Sequence, residues 1–484
     1  MTRTAYFALI ALALGACDGP TTDTDAGTDA GETTQDSGPP DSGPPPPDSG
    51  PPPDAGPTGC TSGCTFVELA LGVHHTCARR ENGEVWCWGR NQEGQVGDNR
   101  PRHDNCAAVG TEPVDCTSTP QQVRTRAGTT IGTLLDATSI SSEGGLSTCA
   151  VRESGEVWCW GLEGIARVNG GMNEYRLAAQ RIEDFGGVTQ FSDGWLHACM
   201  LQGTESRVVC FGWNESGQLG VGDRMEIRIP DETRPVLDPA DTGMALEGVL
   251  EVTASGFGDT TCARTADTLY CWGTNRDGQL GDGSGTHDAT ACMPSMTSSY
   301  DCSNTPVVVG GTEPLANVGQ LTAGVAHVCA LGTGDDAGTV WCWGDNRAGQ
   351  LGQPDTVTTA NVPTAVGGLG EAVEIDAGGR TTCARLADGT VWCWGFNLRG
   401  QLGDADMDHE TTCTFGDTSG DCSRVPVQVS GIDDAVDLAI GQSHACVIRA
   451  SGEIWCWGYN DNRQLGDNTR DTRYAPVRVV ALPD

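Results

Sequence analysis

Lysine is absent from the 484 residues, and all 28 basic side chains are arginine. Its absence removes phosphate-loop and Schiff-base lysine chemistry. Bases of any kind are scarce beside 65 acids, which leaves a formal net charge of −37. Such a chain repels the phosphates of DNA and RNA, so a nucleic-acid partner is excluded. No Cys-x-x-Cys occurs among the 23 cysteines and no quartet has finger spacing. That argues against zinc, and no metal site is assigned. No Ser-His-Asp set and no carboxylate pair can be singled out, so no catalytic residue and no cofactor are assigned.

The beginning of the chain reads as address rather than fold. After Met1-Thr2-Arg3, the apolar run from Ala5 to Leu14 has ten residues, too short for a membrane-spanning helix. Leu14-Gly15-Ala16-Cys17 resembles a bacterial lipobox, which implies cleavage before Cys17 and lipidation of its thiol. Residues 1–17 are therefore expected to be a lipoprotein signal peptide. Acyl chains on Cys17 would hold the protein to a membrane of the cell envelope, outside the cytoplasm. Residues 18–58 carry nine acids, no base and repeated proline runs such as Pro44-Pro45-Pro46-Pro47. They cannot bury enough apolar surface to fold. An extended, proline-stiffened tether of that length reaches roughly 100 Å.

From residue 59 to 484 the chain repeats itself. Val85-Trp86-Cys87-Trp88-Gly89 recurs at Val157, Val340, Val391 and Ile454, and more loosely at Tyr270-Cys271-Trp272-Gly273 and Cys210-Phe211-Gly212-Trp213. Each copy reads as a strand, with Val85 and Cys87 on one face and Trp86 and Trp88 on the other. A turn such as Glu81-Asn82-Gly83 and an earlier cysteine strand, His75-Thr76-Cys77-Ala78, make it half of a hairpin. A glycine-rich loop follows (Asn397 to Gly403), then a proline-led strand (Pro426-Val427-Gln428-Val429). An alternating strand ending in glycine comes next (Val436 to Gly441). Four strands recurring every 50 to 72 residues, seven times, predict a seven-bladed, all-β propeller. The final strand, Ala475 to Val480, has no hairpin after it, and the first unit has no proline-led strand before it. The last strand is thus expected to complete the first unit and close the ring.

The units resemble regulator-of-chromosome-condensation (RCC1-type) repeats. They share a Gly-x-x-His segment, a Gly-x-Val-x-x-Trp-Gly strand, an Asn-x-x-Gly-Gln-Leu-Gly loop and a Pro-x-x-Val strand. The resemblance covers residues 66–482 and implies an RCC1-like propeller without implying a role, since function resides in sites grafted on folds. The chain departs from the family by a cysteine pair in every unit.

Apart from Cys17, the cysteines sort into neighbours. Seven pairs lie within the hairpins: Cys77 with Cys87, Cys149 with Cys159, Cys199 with Cys210, Cys262 with Cys271, Cys329 with Cys342, Cys383 with Cys393, and Cys446 with Cys456. Three lie in longer loops: Cys106 with Cys116, Cys292 with Cys302, and Cys413 with Cys422. Cys60 and Cys64 remain. An even total at short spacings points to disulfides in an oxidising compartment.

The three cysteine loops belong to units one, four and six and begin alike, with His103-Asp104, His287-Asp288 and His409-Glu410. They follow equivalent strands, so they emerge on one face, where propellers bind partners. These six residues are the candidate binding positions. The recurrent His75, His197, His327 and His444 are expected to bond within each blade, and the tryptophans to pack between blades. The reading is a non-enzymatic binding or scaffold lipoprotein for an unknown protein or surface glycan. Secreted RCC1-type propellers that inhibit β-lactamases suggest a protein inhibitor. The alternative is a glycosidase, because Ser154-Gly155-Glu156-Val157-Trp158 and Asp388-Gly389-Thr390-Val391-Trp392 resemble the Asp-box turns of sialidases.

Overall fold

A computed structural model describes residues 64–484, except 110–111, 144, 163–174, 183–184, 228–233, 257, 288–299, 410, 416–417, 481 and 483–484. The leader and the tether expected at 1–17 and 18–58 lie outside the described residues. The rest forms seven sheets in succession, antiparallel but for one parallel pair of Arg124–Ala127 with Tyr175–Arg181, and the only helical element described is a single turn at Gly334–Asp336. The architecture is the expected all-β seven-bladed propeller.

The four strands nearest the channel in each blade follow chain order outwards. Blade 1 is Phe66–Leu71, His75–Arg80, Val85–Arg90 and Glu112–Gln122. Blade 7 is Ala435–Ile440, His444–Arg449, Ile454–Gly458 and Arg473–Arg478. The inner strands of blades 2 to 6 start at Ala137, Val188, Glu251, Val318 and Ala372. The expected shared closing strand is not found. Arg473–Arg478 pairs with its own neighbour, Trp455 opposite Arg478, and blade 1 already holds four strands. The physical reason is one of phase. The alternating strand opens a blade rather than ending one, so every blade is whole and closure falls to contacts between blades 7 and 1.

The cores are wedges between neighbouring blades. At the closing wedge, Phe66, Leu69 and Trp88 of blade 1 pack on Ile448, Ile454, Leu465 and Val479 from the end of the chain. Both faces of each sheet are covered, so Val85, Cys87 and Trp88 are all fully buried although they alternate in direction. The glycine after each second tryptophan breaks the ladder. Gly89 has φ +105°, and a Cβ there would lie 2.6 Å from the His74 carbonyl oxygen. Pairing with the outer strand skips a residue at the same point. The cysteines of the second and third strands lie directly opposite one another. Seven hairpin disulfides are present, with Cα separations of 4.0–4.1 Å. Cys106–Cys116 and Cys413–Cys422 are also bonded. Cys64 and Cys302 are disulfide-bonded as well, and their expected partners Cys60 and Cys292 lie outside the described residues.

Two kinds of side-chain bond join the blades. The buried tryptophan of one blade donates its indole N–H to the glutamine carbonyl in the glycine-rich loop of the blade before it. Trp160 meets Gln95, Trp272 meets Gln218, Trp343 meets Gln279, Trp394 meets Gln350 and Trp457 meets Gln401, all at 2.8–2.9 Å. Trp88 closes the ring on Gln464 at 2.9 Å. The recurrent histidines reach across rather than within blades, correcting the expectation of an intrablade bond. His75, His197, His327 and His444 lie 2.7–2.9 Å from the hydroxyls of Thr148, Thr261, Thr382 and Thr76 on the next blade. Three of those threonines donate onward to the same glutamine carbonyls, so the histidine Nε2 must carry the hydrogen. Burial pulls these imidazoles down to about 3, or about 4 for His327, and they stay neutral.

Candidate functional site

The loop-bearing face and the central channel are the two places where polar groups converge. The cysteine loops start beside the turns that end the inner strands. Arg90, Thr274 and Phe396 each donate their N–H to a carbonyl of that turn in their own blade, at His74, Asp259 and Arg380. The loops and the end of the channel therefore share one face. In blades 1 and 6 each loop adds a strand to the sheet, Asp104–Val109 and Thr412–Phe415. Phe415 on the second of these sits under the guanidinium groups of Arg347 and Arg380.

Each loop histidine is gripped from both sides by aspartates. His287 places Nε2 2.8 Å from Asp282 and Nδ1 2.8 Å from Asp301, while its backbone N–H donates to Asp301 at 2.6 Å. His409 does the same with Asp404 and Asp421, both at 2.7 Å. His103 lies 2.8 Å from Asp98 and more loosely, at 3.4 Å, from Asp115. Carboxylates only accept, so a ring held at both nitrogens is an imidazolium. The bond to Asp282 raises His287 to about 9 against the opposing effect of burial. For His103 and His409 burial pulls downward, but the paired aspartates outweigh it and the net shift is upward. The rings are 8–12% exposed, so they hold the loops from beneath instead of standing out from them. Of their candidate neighbours, Asp104 lies on the added strand, and Asp288 and Glu410 lie outside the described residues.

This clamp has a pH signature. His287 contributes stability that is complete below its unfolded value near 6.5 and gone once pH rises past about 9. Asp301, lowered by its bonds to Asn275 and His287 despite burial, contributes stability that is complete above 3.8 and lost on acidification. Replacing His287 with leucine is therefore expected to cost most below pH 6.5, and the deficit should shrink towards pH 9. Denaturation midpoints measured across that range would check it, and a pH-independent deficit would refute the clamp.

The channel was not anticipated from the sequence. It contains a cavity of about 330 Å³ lined by Glu68, Glu143, Glu251, Glu374, Asp376 and Asp437. One equivalent residue of the inner strand, third in the longer strands, accepts an N–H from the next blade: Glu68 from Ile140, Gln190 from Val252, Glu251 from Leu321, Gln320 from Ile375 and Asp437 from Leu69, at 2.9–3.2 Å. Three of the acids are neutralised from the second strand, by Arg79, Arg264 and Arg385 at 2.5–2.7 Å. Asp437 has isoleucine where those arginines stand. Burial, then the neighbouring Glu374 and Glu68, raise it well above the carboxylate range. At the loop face the channel narrows among Gly72, Gly324, Gly378 and Gly441 to a space of about 20 Å³, little more than one water. Among the described residues, no group of three His, Cys, Asp or Glu side chains is arranged to hold a metal ion.

This blade plan, with its tryptophan strand, glycine-rich loop and Gly-x-x-His turn, matches a known repeat. Residues 82–145, 337–385, 388–448 and 451–484 match the regulator of chromosome condensation (RCC1) repeat, and 66–95, 372–401 and 435–464 match a second model of the same repeat. The chain carries RCC1 repeats within a seven-bladed propeller. Over 425 residues it is 26% identical to the ultraviolet-B receptor UVR8 of Arabidopsis thaliana, covering 86% of this chain and 81% of that one. It is 27% identical over 414 residues to the E3 ubiquitin-protein ligase HERC2 of Homo sapiens, covering 83% of this chain but 7% of that protein. Human WBSCR16 superposes with a TM-score of 0.60 at 20% identity, over 82% of this chain and 94% of that one. Yeast RCC1 (Prp20), solved bound to Kap60, gives 0.60 at 18%, over 86% and 85%. These identities to solved structures carry the fold alone. This propeller sews every hairpin with a disulfide and clamps its loops with imidazolium.

Proposed function

We propose that this RCC1-type propeller is a non-enzymatic binding scaffold, held to a bacterial envelope membrane through Cys17. In this reading residues 18–58 are the tether, and the loop face meets a protein or surface glycan, in the manner of a protein inhibitor. The observation that carries it is the rigid loop platform. A disulfide and an aspartate-gripped histidine fix each of two loops, and His287 holds the third in the same way. The platform surrounds a channel end too narrow for a substrate. A stiff surface loses little entropy on docking. The net charge of −37 favours a cationic partner surface. RCC1 (Prp20), a propeller of similar fold solved in complex with Kap60, supports a binding role.

The glycosidase alternative draws on one observation, the carboxylates and arginines converging in the wide part of the channel. Those arginines are spent on glutamates, and the glutamates on backbone N–H groups, which is the work of a girdle. The Asp-box-like turn is likewise local: Asp388 accepts from the Thr390 N–H at 2.9 Å.

Fractionating cells that express the full chain tests the first reading. The native chain should sediment with membranes and Cys17→Ser should be released. Release of both would remove the anchor from the proposal. Hydrolysis of aryl glycosides by the purified chain, abolished by Asp437→Asn, would replace binding with catalysis.

A further inference from the structure

One of the seven blade junctions is built differently from the others. Six carry the tryptophan-to-glutamine bond, but at the junction of blades 2 and 3 the tryptophan position is Phe211, which has no N–H to donate. Among the described residues the same junction lacks the other side-chain ties, although the Val188 N–H donates to the Gly155 carbonyl across it at 3.1 Å. Ser139 occupies the third inner-strand position, where glutamate, glutamine or aspartate elsewhere reaches the next blade, and it is too short to do so. Ser147 and Ala198 stand where His75 and Thr148 bond across the junction before it. These are properties of the side chains themselves, independent of neighbouring loops.

What remains is largely apolar. Phe185 stacks on Phe211 at 5.7 Å between centroids, Phe191 tilts against it at 6.3 Å, and a small void is lined by Phe191, Phe211 and Trp160. The polar tie lies on the channel side. The Ser141 hydroxyl donates to the Asp193 carboxylate, which also accepts the Glu143 N–H at 3.1 Å. The Glu143 side chain bonds Ser192. Glu143 also lines the narrow end of the channel, where five other blades place glycine. Its side chain touches channel solvent although protein surrounds it.

We infer that blades 2 and 3 form a seam at which the ring opens, with Glu143 as the latch across both the seam and the narrow end of the channel. Apolar contact is non-directional and tolerates sliding, whereas each buried hydrogen bond elsewhere must break for a junction to part. Opening here would withdraw the one carboxylate from the constriction and connect the wide cavity to the loop face.

Hydrogen exchange of the full chain, read by mass spectrometry, tests this. Amides of Ser147–Arg152, Val157–Leu162 and His197–Gln202 should exchange about tenfold faster than those of Thr381–Leu386 and Val391–Phe396 in blade 6. Equal rates, or fastest exchange at the junction of blades 7 and 1, would overturn the seam. Short outer strands in blades 2 and 3 could raise exchange without a seam, and two further variants separate the causes. Ser139→Gln supplies the missing reach and should slow exchange in blades 2 and 3 several-fold while leaving blades 4 to 7 unchanged. Gln320→Ser should do the reverse for blades 5 and 6. Failure of both variants to move exchange would refute the inference. Glu143→Ala should speed exchange in blades 2 and 3 alone, and uniform acceleration around the ring would remove its role as a latch.

Discussion

Trp88→Ala is expected to lower stability by about 3–5 kcal/mol, the usual cost of emptying a fully buried tryptophan site. Trp88 is wholly buried in the closing wedge, against Leu465 and Val479 from the far end of the chain. Its indole N–H reaches Gln464 across 376 residues of sequence. No shared strand supports this junction, so the tryptophan, the His444–Thr76 bond and the Leu69–Asp437 bond are chief among its polar ties, with Ser118 donating to Asn468 at 2.8 Å. The comparison residue is Trp86, two positions earlier and half-buried on the same strand, where the same change should cost much less. Denaturant midpoints of the two variants decide the matter. Similar small losses at both positions would show that closure does not depend on the tryptophan wedge. Trp88→Phe should recover most of the packing but not the hydrogen bond, leaving a deficit of about 1 kcal/mol.

The blade repeat was legible because each unit writes the same strand, turn and loop chemistry, and the cysteines sit at the same hairpin positions every time. Neighbouring cysteines in a tight hairpin have few alternatives, so every hairpin pair read from spacing is present. Which strand opens a blade was not legible. The repeating pattern is circular, and the phase depends on which strand faces the channel. The histidine bonds were misread for a related reason. The threonine partner follows the equivalent histidine position on the next blade by one residue, as Thr148 follows Ser147. Only the packing of one blade on another brings it within reach. In hindsight the two covary within this chain: where a blade lacks the histidine, at Ser147, Thr260 and Thr381, the next blade has Ala198, Val328 and Ala445 in place of threonine.

The candidate site was legible in part. His103, His287 and His409 stood out as a recurrent set, but the aspartates that hold them lie five residues before and 12 to 14 after. In a chain with 65 acids those particular carboxylates do not stand out. The channel girdle was hidden in the same way. Glu68, Glu251, Glu374 and Asp437 look like solvent-facing positions of alternating strands. In a propeller the inner strand has no solvent face of the ordinary kind, and its outward position meets the carboxylates of other blades.

Reduction of the disulfides is expected to unfold the propeller outright. The seven hairpin bonds each close a loop of 9 to 13 residues. Each constrains the unfolded chain by about 2–3 kcal/mol. The contributions are not strictly additive. Even half their sum rivals the ~5–15 kcal/mol by which a native protein is stable. The geometry favours cooperativity, because each bond sits at the centre of a blade whose two faces build two wedges. Loosening one hairpin therefore weakens both neighbouring junctions. Removing one pair, Cys446→Ala with Cys456→Ala, should cost about 2–3 kcal/mol and leave a folded ring. Full reduction in the absence of denaturant should shift the emission of the buried tryptophans to the red and abolish the cooperative unfolding transition. Retention of both after complete thiol release would mean that the wedges alone hold the ring. In that case folding of the ring would not depend on its disulfides.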